Sequence, residues 1–308
     1  DLMRDYGADS LRLWALSVDF TEDHRIGDEI LKGVADQYRK LRNSFRYLLG
    51  ALDGFDEAER VAVADMPELE RYMLHLLAGL DAKLRAAVND FDFNSYTRLL
   101  SDFANNDLSA FYFDIRKDSL YCDAPDSVKR RACRTVFNTL FHALVRYTAP
   151  VLVFTAEEVW QTRYPDSDSV HLLEWPPVDA GWITSGLQDL GSKWERMRNY
   201  RRDVSEAIEP LRRQKVIGSS LEASVHLTFT QCHDIESTSR EDLAELFIVS
   251  DVSHDRGEPT SGNFHSPAWR LEVQISRSHH HKCGRCWRLL PEVVEDGDLC
   301  DRCATVVA

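Results

Sequence analysis

The sequence lacks any apolar run long enough to cross a bilayer. It also lacks a leader in which basic residues precede an apolar stretch and small residues. Hydrophobic residues at 44% and charged residues at 29% are typical of an ordinary soluble globular protein. The first residue is Asp1 rather than Met, so we expect the chain to be a piece of a longer protein. No association with a membrane is expected.

Signature motifs of the common enzyme classes are also missing. The sequence contains no G-x-x-x-x-G-K-[ST], G-x-S-x-G, H-E-x-x-H or G-x-G-x-x-G. The His-x-Glu that accompanies P-C-x-x-C in zinc deaminases is absent too. From its residues alone, the chain is therefore predicted to be a binding piece rather than a complete enzyme.

Cysteine is present seven times, an odd number that argues against a disulfide framework. Cys122, Cys133 and Cys232 are scattered, and the other four form two C-x-x-C pairs. A reducing cytoplasm fits this pattern better than an oxidising compartment. The formal net charge of -14 argues against diffuse binding of nucleic acid, but a local basic surface is still possible.

The first half of the sequence has the periodicity of long amphipathic helices. In "GDEILKGVADQYRKLRNSFRYLLGAL" apolar residues recur every three or four positions. Asp28 is the expected N-cap of this helix, and Asp65 with Glu68 has capping-box spacing before the next one. Further helices are predicted over about 94–116 and 128–147. One more is predicted to start with Thr155 as its N-cap, with the Glu158 side chain reaching back to the cap. Helices joined by short connections predict an antiparallel bundle.

The helical periodicity ends at about residue 164. Prolines, serines and glycine predict a linker over about 164–186. Another amphipathic helix follows, and then "LEASVHLTF", "LFIVSDVSH" and "WRLEVQIS" alternate as strands do. These predict a small α+β domain over 187–276, before a cysteine module over 277–308.

The cysteine module predicts one structural zinc ion. Cys283, Cys286, Cys300 and Cys303 have the spacing C-x2-C-x13-C-x2-C, and Asp296-Gly297 predicts a hairpin that returns the chain. Four sulfurs fill a tetrahedral site and leave no open position for a reacting water. Four reduced cysteines without metal, an iron–sulfur centre and a redox dithiol are the weaker alternatives.

Residues 276–290 contain four basic residues and no acidic one. Arg285, Trp287 and Arg288 could bind single-stranded nucleic acid, with charge for phosphates and a ring for an unstacked base. Alternatively, the arginines offset the charge of a four-thiolate zinc site and Trp287 caps the module's core. The residues alone do not decide between these readings. The run His279–His281 is expected to be solvated.

Two further basic stripes stand out. Residues 191–221 contain eight basic and four acidic residues, a local net charge of +4. Arg39, Arg42, Asn43 and Arg46 lie along one flank of the first long helix. A single stripe of this kind usually means a solvated face. Three stripes in an acidic chain favour a shaped anionic partner such as folded RNA.

Over essentially its whole length, the sequence resembles the C-terminal part of a bacterial isoleucyl-tRNA synthetase. "YGADSLRLWALSVDFTEDHRIGDEIL" resembles the segment after that enzyme's lysine-rich signature loop. "YRKLRNSFRYLLG", "DLSAFYFDIRKDSLYCD" and "APVLVFTAEEVW" resemble its anticodon-binding bundle. "EPLRRQKVIGSSLEASVHL" and "KCGRCWRLLPEV…LCDRC" resemble its junction and zinc domains. The histidine run before Cys283 departs from the family pattern.

The resemblance implies a mainly α fold: an antiparallel helical bundle, a small α+β junction domain and a zinc-ribbon-like module. Residues 1–27 would end the connection from the catalytic core, and residues 28–186 would form the anticodon-binding bundle with its linker. The HIGH and KMSKS signatures and the editing domain are absent, so the chain alone should neither use ATP to activate isoleucine nor edit.

The implied partners are isoleucine tRNA and the missing catalytic and editing domains, in a cytoplasmic monomer. The expected tRNA-binding residues are Arg39, Arg42, Asn43, Arg46, Arg201, Arg202, Arg213, Lys215, Arg285, Trp287 and Arg288. A valyl- or leucyl-type anticodon domain is one alternative. A zinc-stabilised scaffold that binds RNA or protein without an enzymatic role is another.

Overall fold

The computed structural model of the chain describes residues 2–21, 23, 26–183, 185–259, 264–266 and 270–308. Two compact units are present. The first contains residues 1–116 and 126–187, and the second contains residues 117–125 and 188–308. The domain boundaries expected from the sequence stay a prediction.

The first unit is built from helices. Its α-helices are α1 (Leu2–Tyr6), α2 (Ala8–Ser17), α3 (Asp28–Ala51), α4 (Glu68–Asn89), α5 (Phe93–Asp102), the start of α6 (Asp114–Cys122), α7 (Val128–Thr148) and α8 (Val153–Arg163). Short 3-10 turns lie at Glu57–Glu59, Val63–Asp65, Val170–Leu172 and Ala180–Ile183. The predicted helix over about 94–116 is helical throughout, but its middle, Phe103–Phe113, is a π-helical stretch between α5 and α6, and α6 continues to Cys122.

Aromatic side chains fill much of the first unit's core. The Tyr47 and Phe113 rings stack with centroids 4.2 Å apart, and Phe137 meets both Tyr112 and Phe113 edge-on. The buried carboxylate of Glu70 accepts two hydrogen bonds of 2.7 Å from Arg116. Pairing in this way is what makes a buried charge tolerable.

The ends of the helices differ from the predicted caps. Helix α3 begins at Asp28 with Gly27 as N-cap, and α4 begins after Pro67, so neither Asp28 nor the Asp65–Glu68 pair caps a helix. Helix α8 begins at Val153, two residues before the predicted cap. Its first turn is capped from outside by the carboxylate of Asp9, which accepts from the Thr155 N–H and hydroxyl at 2.7 Å each.

The predicted linker over about 164–186 packs against helices of the first unit. Trp175 donates its indole N–H to Asp81 on α4 at 2.6 Å, and the carbonyl of Trp182 lies 3.1 Å from His75. Residue 184 of this stretch lies outside the described residues. The segment is therefore irregular, as its turn-forming residues predict, and side-chain hydrogen bonds hold it against the helices.

The second unit carries a four-stranded sheet in the order β2-β1-β4-β3. Its strands are β1 (Ala223–Phe229), β2 (Asp251–Arg256), β3 (Phe264–Ser266) and β4 (Leu271–Arg277). Strand β1 pairs in parallel with β2 and antiparallel with β4. Helix α9 (Ser185–Arg213) and the short helices α10 (His233–Glu236) and α11 (Arg240–Phe247) complete this part.

The predicted strands are confirmed for the most part. Strand β1 alternates buried and half-buried residues, as its sequence predicts. "LFIVSDVSH" was only partly right, because Leu246 and Phe247 end helix α11 before β2 begins at Asp251. The Trp that opens "WRLEVQIS" lies outside the described residues, Arg270 lies in a turn, and the remaining residues belong to β4.

The cysteine module ends the second unit. A two-stranded ribbon of β5 (His281–Lys282) and β6 (Leu289–Leu290) precedes helix α12 (Asp301–Val307). The mainly α fold class, with small sheets and a C-terminal cysteine cluster, is confirmed. Across the ranges the structure describes, none of the helices combines the length and the apolar character that a membrane crossing requires.

Candidate functional site

The four cysteines of the two C-x-x-C pairs come together. All are buried, and their sulfur atoms lie within 4.8 Å of one another. A tetrahedral zinc ion with bonds of about 2.3 Å would hold its sulfurs about 3.8 Å apart. The Cys286 and Cys300 sulfurs are 3.8 Å apart, so the donor set and its spacing fit zinc.

Backbone hydrogen bonds bring the two C-x-x-C pairs, or knuckles, together. The Cys283 N–H donates to the Arg288 carbonyl and the Gly284 N–H to the Asp298 carbonyl, each at 2.9 Å. A Cβ at Gly284 would clash with the backbone carbonyl of Gly297, so only glycine permits this approach. Gly297 has a φ of 104°, which glycine adopts freely, and forms a turn with Asp296. The predicted hairpin was only partly right, because the ribbon pairs Lys282 with Leu289 and paired strands do not flank this turn.

Backbone hydrogen bonds stabilise the thiolate form of one cysteine, Cys283. Burial raises the pKa of Cys283, but backbone N–H groups of Cys300, Cys286 and Arg285 outweigh it and lower that pKa to about 6. The first of these N–H groups lies 3.3 Å from the sulfur. Burial raises the pKa of Cys286 to about 11. Because thiolate is the form that binds metal, these N–H groups favour the metal-binding form of Cys283.

A fifth cysteine, Cys122, packs against the four. It lies at the end of helix α6, far from the module in sequence but within the same unit. Burial raises the pKa of its thiol to about 12, so this sulfur stays protonated at neutral pH. In the sequence Cys122 is isolated from the other cysteines, and no local signal links it to the cluster.

The arginines of the module are engaged within the second unit. Arg285 donates to the carbonyls of Cys122 and Tyr121, at 2.5 and 2.9 Å. Arg288 donates to the Ser250 carbonyl at 2.9 Å. These contacts cap the end of α6 and tie the module to the turn before β2. Both side chains are half-buried, unlike a solvated basic stripe.

Trp287 is exposed on the surface of the module. Its side chain is 60% exposed, so it does not cap the module's core. Its φ of 66° lies in the left-handed region, which is rare for a bulky residue and costs about 1–3 kcal/mol. The Trp287 N–H donates to the Cys283 carbonyl at 3.1 Å, which holds the residue in this conformation. Lys282 places its ammonium 5.6 Å from the centroid of the indole ring.

In the first unit, four of the predicted residues share one exposed face of α3. Arg39, Arg42, Asn43 and Arg46 follow helical spacing, and all four are exposed. Arg39 pairs with Asp36 at 3.2 Å and Arg42 with Glu158 at 2.9 Å. We call this surface the α3 basic face.

The predicted residues of helix α9 divide into two kinds. Arg202 and Arg213 are exposed, as is Lys215 just after the helix. Arg201 is half-buried and donates to the Leu246 carbonyl at the end of α11. The helix therefore presents cations to solvent while one of its arginines fastens it to α11.

One arginine of this region forms contacts that the sequence did not indicate. Arg302 binds Asp118 through both carboxylate oxygens, at 2.6 and 3.0 Å, and reaches Asp123 at 3.1 Å. Its position directly before Cys303 was visible, but its partners lie in the segment 117–125, far away in sequence.

Two known families match parts of the chain. Residues 70–227 match the family described as the anticodon-binding domain of tRNA ligase. Residues 281–306, which contain all four cysteines of the cluster, match the zinc finger found in FPG and IleRS.

Similar proteins cover the whole chain. The isoleucine–tRNA ligase of Zymomonas mobilis is 53% identical over 99% of the chain and 32% of its own length. That of Gluconobacter oxydans is 46% identical over 100% of the chain and 31% of its own length. That of Agrobacterium fabrum is 45% identical over 96% of the chain and 30% of its own length. The chain thus spans about a third of the length of these curated relatives.

Proposed function

Since the chain belongs to the family of anticodon-binding domains of tRNA ligases, we propose that it is the tRNA-recognising part of an isoleucine–tRNA ligase. The observation that carries this proposal is the alignment of 96–100% of the chain with isoleucine–tRNA ligases. The relatives extend to about three times its length, which leaves room for a separate catalytic core. That core would bind ATP and isoleucine, and its product would be charged isoleucine tRNA.

The α3 basic face is our proposed contact for the anticodon loop. Arg42 forms an exposed ion pair, which contributes about 0–1 kcal/mol and can be exchanged for a phosphate contact. Asn43 adds an amide that can donate to and accept from a base edge. Arg46 has no ion-pair partner in the described part of the chain, so its charge is available to RNA.

On the second unit, exposed cations would hold the RNA backbone. Arg202, Arg213 and Lys215 combine exposure with a position on or just after α9. Contacts to phosphate fix the register of a protein on nucleic acid without reading its sequence. Arg201 would act through its bond to the Leu246 carbonyl, by fixing α9 in place.

In the module, Trp287 would stack on an unpaired base. The ring is 60% exposed and the backbone that carries it is held by a hydrogen bond to the Cys283 carbonyl, so an unpaired base can reach the ring. Arg285 and Arg288 donate to backbone carbonyls, and we assign them the role of orienting the knuckle that carries the ring.

The zinc ion would be structural. Cys283, Cys286, Cys300 and Cys303 occupy all four positions of a tetrahedral ion, so no position is open for a reacting water. Its role would be to fold a module that has little apolar core of its own. The complete protein would work in the cytoplasm as a monomer, with its catalytic and editing domains as further partners.

Binding of an isoleucine tRNA anticodon stem–loop tests this function. Wild-type protein should bind with an affinity that falls steeply as salt rises, because phosphate contacts release counterions. Replacing Trp287 by Ala should weaken binding about tenfold, as for one lost stacking contact. Val294, which is 75% exposed in the same module, provides the matched control, and Val294→Ala should bind as wild type does.

Two results would contradict the proposal. One is a wild-type chain that binds the stem–loop no better than an unrelated hairpin. The other is ATP–pyrophosphate exchange with isoleucine by this chain alone, which would place a catalytic core within it.

A further inference from the structure

A cavity of about 330 Å³ lies in the second unit beside the cysteine cluster. Its wall contains the three consecutive histidines His279–His281. Two cations, Arg277 and Lys282, and two carboxylates, Glu222 and Asp296, complete its polar lining. The histidine run that the sequence left without a role therefore borders a half-open cavity.

The wall of this cavity is tied to the cysteine module. The Asp296 carboxylate accepts from the Lys282 N–H at 2.7 Å, and the Gly297 N–H donates to the Lys282 carbonyl at 2.9 Å. His281 and Lys282 form strand β5, which pairs with β6. The cavity thus takes its shape from the same backbone that holds the first cysteine pair.

A metal ion does not suit the cavity. In the portion of the chain the structure describes, groups of three or more potential metal ligands at binding distance are limited to the four cysteines. The imidazoles and the two carboxylates of the cavity do not converge in this way.

Its charge does not favour a lone phosphate either. The formal charges of Arg277 and Lys282 cancel those of Glu222 and Asp296. Glu222 lies 3.8 Å from Arg277, so one cation already faces an anion. A neutral wall with donors, acceptors and imidazoles suits a neutral ligand that has both donors and acceptors along its edge. A nucleobase is such a ligand.

One residue, Lys282, belongs to the cavity wall and also lies near the exposed ring. Lys282 lines the cavity, and its ammonium lies 5.6 Å from the centroid of the Trp287 ring. A volume of about 330 Å³ is at the small end of the range of ligand pockets, about 300–1,000 Å³. It would admit one base but not a stretch of helix.

We propose that this cavity binds one unpaired base of RNA by its edge, next to the base that stacks on Trp287. The inference rests on the proposed function and adds a second base site, with His279 and His280 as contact residues. Both side chains are exposed at the cavity wall and neither is a zinc ligand, so they can be replaced while the four cysteines stay intact.

The test uses the full chain and the isoleucine tRNA anticodon stem–loop, with an abasic nucleotide at each loop position in turn. The double variant His279→Ala/His280→Ala is compared with His233→Ala, whose histidine is 90% exposed on helix α10. Zinc content and circular dichroism establish that each variant is folded.

We expect the double variant to bind the intact stem–loop about tenfold more weakly, as for one lost base contact, and His233→Ala to bind as wild type does. One abasic RNA should weaken wild-type binding similarly and leave the double variant's affinity unchanged, because each change removes the same contact. Equal binding of both variants, or equal losses with every abasic RNA, overturns the inference and leaves the proposed function intact. A wild-type chain that does not bind the stem–loop overturns both.

Discussion

Arg302 binds both carboxylate oxygens of Asp118, at 2.6 and 3.0 Å, from a position next to the last cysteine of the cluster. The same guanidinium reaches Asp123 at 3.1 Å. Together with Arg285 on the Tyr121 and Cys122 carbonyls, it fastens the module to the segment 117–125. The metal site and this distant segment are therefore predicted to be stable together.

Replacing Arg302 by Ala should lower the free energy of unfolding of the second unit by about 1–2 kcal/mol. The partly buried bidentate pair is stronger than a surface pair, and its loss leaves two carboxylates without their cation. Denaturant unfolding with intact zinc measures the change. Arg212→Ala is the control, because its exposed pair with Glu209 contributes little, and equal losses in both variants would contradict the assignment.

Removal of zinc should release more than the module. Four adjacent thiols without an ion no longer hold the two knuckles together, so amide protection over 281–306 should fall. Protection over 117–125 should fall with it, since Arg285 and Arg302 reach that segment from the module. Hydrogen exchange before and after chelation provides the measurement. Unchanged protection over 117–125 would separate that segment from the metal.

The first unit should lose stability below neutral pH through His142. Burial, followed by the nearby charges of Arg163 and Arg146, lowers the pKa of this imidazole to about 4. An unfolded histidine titrates near 6.5, so between the two values the unfolded chain binds a proton that the folded chain does not. Stability from this group is present above pH 6.5 and is lost towards pH 4, by up to about 3 kcal/mol.

Thermal or urea unfolding between pH 7 and 4 tests this account of His142. The variant His142→Gln should have a flatter pH dependence over that interval. His233→Gln, on an exposed position of the second unit, should keep the wild-type slope. A His142→Gln variant with the full wild-type slope would mean that other groups cause the loss.

Arg46 should contribute to RNA binding through charge alone. The variant Arg46→Ala should weaken binding for all RNA loops alike and lower the slope of log affinity against log salt by about 1. Arg98 is the matched control, an exposed arginine on α5 that lies 4.0 Å from Asp102. If both variants keep the wild-type slope, the α3 basic face is a solvated surface.

Periodicity and spacing predicted the elements that are determined by residues close together in the sequence. The apolar repeat of α3, the alternation of β1 and the two C-x-x-C pairs each leave a direct mark in the sequence. The π-helical stretch Phe103–Phe113 leaves no such mark, because its apolar spacing is close to that of an α-helix. The end of α11 was mistaken for a strand, since a short apolar run fits both structures.

Contacts between distant residues could not be predicted. Asp9 caps α8 from far away in sequence, and nothing near Thr155 signals it. Cys122 joins the cysteine cluster, and Arg302 finds Asp118, only because the chain folds back on itself. For the same reason, the sequence could name Arg285 and Arg288 as basic but not show that carbonyl groups engage them.

The most direct test of tRNA recognition is a titration with isoleucine tRNA and with the same tRNA carrying a changed anticodon, at two salt concentrations. Both affinities should fall with salt, because phosphate contacts contribute to each complex. The account predicts that the anticodon change greatly weakens binding at either salt concentration. Equal affinity for the two tRNAs would contradict it and would assign the chain the role of a backbone clamp.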